Sequence, residues 1–159
     1  MNDARDYLVW LGETEFSGGS FNGPALMETL RSLPLEEALS TDTYEGYSAW
    51  GVTLHTIYFK YLIGKELGAK MPSYDYEDKG WPAMPENPDQ AAWDKLLDDL
   101  EAFHNAAMTA FKEASLEKLE EPMPGWKTSK GNAFAWVVSH DTNHNTQIRN
   151  MGLPSLKQK

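Results

Sequence analysis

Three long stretches of this chain place apolar residues three and four positions apart, and segments rich in proline and glycine separate them. That spacing is the period of an α-helix, so each stretch has one face to bury and needs the others to bury it against. In residues 42–67 the face is Trp50, Leu54, Ile57, Tyr58, Tyr61 and Leu62, with Gly68 available as a stop. The second stretch opens near Asn87-Pro88-Asp89 and runs to about Leu119 through Trp93, Leu96, Leu97, Leu100, Phe103, Met108 and Phe111. The third, residues 130–151, carries Phe134, Trp136, Val137, His140, His144, Ile148 and Met151 before Gly152 and Pro154 end it. A shorter helix is predicted between Pro24 and Pro34 on Leu26, Met27, Leu30 and Leu33. Four helices make an all-α four-helix bundle the economical architecture.

The rest of the chain is read as connections. Residues 1–23 contain the run Tyr7-Leu8-Val9-Trp10-Leu11, too short for its period to decide between strand and helix, and are taken as an N-terminal arm. Residues 69–88 hold Pro72, Pro82, Pro85 and Pro88 among glycines and aromatics, so they cannot be a helix interior. A connection that long is uncommon without a function, and it is expected to cross over beside a pocket, with Trp81 as its contact.

The 159 residues suffice for one core, so residues 1–159 are taken as a single domain. A net charge of −10 repels phosphate backbones and anionic membrane surfaces, and no apolar run approaches the roughly 20 residues that cross a bilayer. No nucleic-acid or membrane partner is expected, and the N-terminus shows no basic flank before an apolar stretch, so a soluble cytoplasmic protein is expected. With 0 cysteines there is no thiolate ligand or nucleophile, and a tight metal site must use His, Asp or Glu.

His140 and His144 stand four residues apart, which on a helix aims two imidazoles along one face. Such a pair is common by chance, but this one lies beside Trp136, Val137 and Ile148, where an unpartnered imidazole is costly to bury. His55, midway along another amphipathic helix, is available as a third ligand, and Gln147 follows on nearly the same stripe, placed to orient a ligand. Two rival motifs fail. A zinc protease needs His-Glu-x-x-His, whereas Asp141 follows His140; a di-iron bundle needs paired Glu-x-x-His motifs, and only Glu101-Ala102-Phe103-His104 supplies one. His104 is therefore expected at the surface or behind a ligand, and Asp141 solvated or paired with a neighbouring helix.

A helix histidine in Trp50-Gly51-Val52-Thr53-Leu54-His55-Thr56-Ile57-Tyr58, a later Pro-Gly-Trp connector and a final helix reading His140-x-x-x-His144-x-x-Gln147-Ile148 together resemble the DinB-like superfamily. The resemblance implies a four-helix bundle, often a homodimer, with one divalent ion (Zn, Ni, Mn or Fe) on three histidines in these places. It also implies, for some relatives, a low-molecular-weight thiol such as bacillithiol, mycothiol or glutathione. The expected activity is that of a metal-dependent transferase or hydrolase acting on a small-molecule substrate, with Trp50, Tyr58, Trp81 and Trp136 as candidate substrate contacts. The competing expectation is a non-catalytic bundle whose metal is closed by a fourth protein ligand, from Asp42, Glu45 or Gln147.

Overall fold

A computed structural model describes residues 4–157, and every regular element among them is helical. Four helices are long: α1 (Ala4–Ser17), α4 (Ala49–Glu66), α5 (Gln90–Glu113) and α7 (Lys130–Arg149). Three short ones, α2 (Leu26–Arg31), α3 (Leu35–Leu39) and α6 (Leu116–Glu120), fill the connections. α4 packs on α5 and α7, and α1 packs on α7 and α5. No helix among the described residues is long and apolar enough to cross a membrane.

Hydrogen-bonding side chains set where the long helices begin. Ser48, Asp89 and Ser129 each accept from the backbone N–H three residues on, satisfying a donor that the first turn leaves open. α4 therefore starts at residue 49 rather than 42, because Ser48 caps it and Gly46, at φ +76°, turns the preceding segment. The stretch expected to run to Leu119 is interrupted at Ala114, whose ψ of 137° leaves helical space, and Ser115 caps α6 anew.

The expected N-terminal arm is corrected. From residue 4 it is helix α1, buried through Val9, Gly12, Glu15 and Phe16. A Cβ on Gly12 would stand 3.0 Å from Met108 and 3.2 Å from Val138, so the glycine lets α1 approach α5 and α7 closely. The predicted helix between Pro24 and Pro34 shortens to α2, and Pro34, expected as its stop, stands at the start of α3.

The buried apolar side chains form two clusters. One gathers Phe16, Leu54, Ile57, Trp93, Phe103 and Ile148; the other gathers Ile63, Met108, Phe111, Phe134, Val137 and Val138. Burying a side chain of this size contributes about 1.5–3 kcal/mol, so this layered interior is the main source of stability.

Candidate metal centre

The pairing of α4 with α7 brings His55 to His140 and His144. His140 Nε2 lies 3.1 Å from His55 Nε2 and 2.8 Å from His144 Nε2, with all three rings buried. The outer nitrogens of two rings are committed. His55 Nδ1–H donates to the Gly80 carbonyl at 2.5 Å, and His144 Nδ1–H donates to Gln147 Oε1 at 2.7 Å. In a neutral imidazole that assignment leaves the lone pair on Nε2, facing the shared centre. Gln147 is held in turn, because its Nε2 donates to Glu45. His140 Nδ1 is buried without a protein partner.

These residues fit one divalent ion. Nitrogens each about 2.0–2.1 Å from a common ion stand roughly 2.9–3.4 Å apart at angles from square to tetrahedral, close to the two separations that His140 makes, and the three ligand atoms all lie within 4.8 Å of one another. Among the described residues no carboxylate joins the three histidines in this group. The fourth ligands considered from the sequence are elsewhere engaged: Gln147 Oε1 accepts from the far side of the His144 ring, and Glu45 accepts from Gln147. Asp42 is exposed.

Aromatic rings frame the centre. Trp81 stacks on His55 at 3.9 Å between ring centres and on Tyr47 at 4.8 Å, while Trp136 lies 4.3 Å from His140 and packs on Phe59 and Trp126. Trp81 and Trp136 are nevertheless partly exposed, at 40% and 38%. The other two aromatic candidates stand further back, Tyr58 one ring removed from the histidines behind Phe59. Trp50 is buried against Trp93, and the rings beside Tyr58 are Phe59 and Tyr74. The structure adds Gly80, Phe59, Trp126 and Tyr47 to the surroundings. Gly80 acts through its carbonyl, so no side chain could have announced it.

His104 is corrected. It is not at the surface but 3% exposed, stacked on Phe16. Asp141 is buried and pairs with Lys60 of α4, which is the second of its two expected placements.

Burial pushes the His55 imidazole down to about 4, against the pull of the Gly80 carbonyl, and the His140 imidazole down to about 2, helped by its two histidine neighbours and Lys60. His144 is lowered by burial too, with Gln147 opposing. Each ring therefore binds protons less readily folded than unfolded. Its contribution to stability is complete above the ordinary value of 6.5 and is lost as pH falls from there toward the folded values. Metal retention follows, because protons compete for the ligand nitrogens. Protein loaded at pH 7 and equilibrated stepwise to pH 3 should release its metal as pH falls below the ordinary histidine value, and metal content unchanged down to pH 4 would rule out histidine ligation.

Gln147 gives a second expected outcome. Ring orientation by a hydrogen-bonded outer residue is typically worth about 10–100-fold in metal affinity. Gln147→Ala should weaken binding by about that factor while leaving the helical circular dichroism unchanged, since Gln147 is not part of the core. An unchanged dissociation constant would show that it does not orient His144.

An all-α protein with three buried histidine nitrogens converging on one point is thus a candidate metalloprotein. The sequence matches the family model of the DinB superfamily over residues 22–148, and the chain belongs to that superfamily. No curated protein and no solved structure matches it. The matched span begins after α1 and contains all three histidines.

Proposed function

We propose that this protein is a metal-dependent enzyme in which His55, His140 and His144 hold one divalent ion and leave part of its coordination sphere to a small molecule. The observation that carries the reading is the convergence of three Nε2 atoms with no carboxylate grouped among them. Catalytic metals characteristically keep such an open position, whereas structural ones are closed by a fourth protein ligand. α1, α4, α5 and α7 are taken in this reading as the four helices of a bundle, with residues 69–88 as the crossover that carries Trp81.

Three imidazoles suit zinc, nickel or iron, and manganese remains within the family's range. When bound, such an ion supplies Lewis acidity that lowers the pKa of a thiol or water. The chain itself positions the reactants. Gly80 and Gln147 hold His55 and His144, and half-buried Phe59 and half-exposed Trp136 and Trp81 exclude bulk water from one side each while presenting ring surface to an incoming molecule. A thiol must come from outside, because the sequence has no cysteine. Transfer of that thiol to an electrophile, or hydrolysis, are the two chemistries that use this arrangement.

Elemental analysis of protein purified without a metal-affinity tag should find about one divalent ion per chain. The cobalt-loaded protein, given a low-molecular-weight thiol, should develop a near-ultraviolet sulfur-to-cobalt absorption if the thiol reaches the metal. Absence of that band, with turnover of activated esters, selects hydrolysis. Absence of both sinks the enzymatic reading and leaves a metal-binding bundle.

A further inference from the structure

The three histidines do not account for the polar groups buried nearest to them. Lys60 of α4, His104 of α5 and Asp141 of α7 are each no more than 3% exposed; Lys60 contacts the other two, and Lys60 and His104 both lie on the ring of Phe16 from α1. Lys60 Nζ lies 2.5 Å from Asp141 Oδ2, 3.1 Å from His104 Nδ1 and 4.9 Å from the Phe16 ring centre, so the amine is met from each of the other three long helices. His104 stacks flat on Phe16 at 3.6 Å. One residue from each long helix thus enters a single buried contact.

That contact falls where the two apolar clusters separate. Along α4, Ile57 belongs to one cluster and Ile63 to the other, with Lys60 between them. Along α5, Phe103 and Ala107 flank His104; along α7, Val138 and Ile148 flank Asp141. Apolar layers tolerate repacking when volume is kept, so they fix the relative height of two helices only loosely. A buried charge is less forgiving. Sliding α4 by one turn, about 5.4 Å, would set Lys60 against an apolar layer and leave Asp141 unpaired.

The same two helices supply the metal nitrogens. His55 lies five residues before Lys60, His140 immediately precedes Asp141, and His144 follows it by three. We propose that the buried Lys60–Asp141 pair, completed by His104, is a positioning device for the histidines, holding α4 and α7 in the register that brings His55 to His140 and His144. It rests on the metal reading given above. Buried polar groups best justify their presence by specifying register, since an apolar replacement of similar volume is often at least as stable.

That last property supplies the test. The triple variant Lys60→Met/Asp141→Leu/His104→Leu, which leaves no polar member of the group behind, should fold, with an unfolding temperature equal to wild type or higher. Its cobalt affinity should nevertheless drop at least about tenfold, with an altered or heterogeneous visible spectrum, because the ligand helices are no longer pinned. A pair with a purely structural role would leave both unchanged once stability is restored. The neutral pair Lys60→Gln/Asp141→Asn, which can still hydrogen-bond between the helices, should rescue affinity and spectrum, and it serves if the apolar variant does not fold. Wild-type cobalt binding by the folded apolar variant overturns the inference, as does failure of the neutral pair to rescue. Wild-type protein that takes up no cobalt overturns the metal reading, and this inference with it.

Discussion

Replacing His140 by alanine is expected to abolish metal binding. Its Nε2 stands between the other two, 2.8 Å from one and 3.1 Å from the other, so its loss leaves two nitrogens with no carboxylate grouped beside them. His55→Ala and His144→Ala should lose most of their affinity for the same reason. The metal's own stabilisation goes with it, about 2.7 kcal/mol where the ion had been present at 100 times its dissociation constant. All three variants should remain helical, because a core of this size folds without the ion, unlike a zinc finger. His104→Ala should behave in the opposite way. It empties a site stacked on Phe16 and takes a partner from Lys60, so it should cost on the order of 2–4 kcal/mol yet bind metal at the wild-type ratio when the ion is saturating. Metal stoichiometry and thermal unfolding of the four variants check this together. If His104→Ala loses metal while His55→Ala keeps it, α5 rather than α4 supplies the third nitrogen and the assignment fails.

That contrast also shows what the sequence made legible. α4, α5 and α7 each carry enough apolar residues at helical spacing to be read directly, and the four-residue step from His140 to His144 on an apolar face points to paired ligation. α1 was hidden because its buried face is Val9, Gly12, Glu15 and Phe16, a stripe half of which is not hydrophobic. The residues that make the segment look apolar, Tyr7, Trp10 and Leu11, are the exposed ones. Membership of the four long helices therefore differs from expectation, with α1 replacing the short α2. His104 was misplaced by its charged neighbours, although Leu100, Phe103, Ala107, Met108 and Phe111 recur around it at the spacing of a core stripe. Lys60 was equally legible in principle, three residues from both Ile57 and Ile63, as a charge on a face that would otherwise be apolar. What a single sequence does not carry is the backbone carbonyl of Gly80 on His55, since the loop path alone puts it there.

Breaking the Lys60–Asp141 pair from one side only should give the largest loss of fold stability. In Lys60→Met the Asp141 carboxylate stays buried with Oδ2 deprived of its ammonium and Oδ1 already without a partner. Removing one member of a buried pair typically costs about 3–5 kcal/mol, a large share of the roughly 5–15 kcal/mol that holds a domain together. Asp141→Leu should be comparable, because Lys60 would keep only His104 and the Phe16 ring. The pH dependence identifies the cause. Burial pushes the Asp141 carboxyl up while Lys60 and, less strongly, His144 hold it down, so deleting Lys60 removes the main opposition to the upward push. A carboxyl whose folded pKa lies above its unfolded value binds its proton more tightly when folded, and it destabilises the protein as pH rises through that interval. Lys60→Met should therefore be furthest from wild type at pH 7 and approach it at pH 5, as measured by urea unfolding of both proteins in the metal-free form. Lys60 also helps burial hold the His140 and His104 imidazoles down, so its removal eases their protonation and narrows the gap in the same direction as pH falls. A gap of the same size at both pH values would show that lost packing, rather than a stranded charge, accounts for the destabilisation.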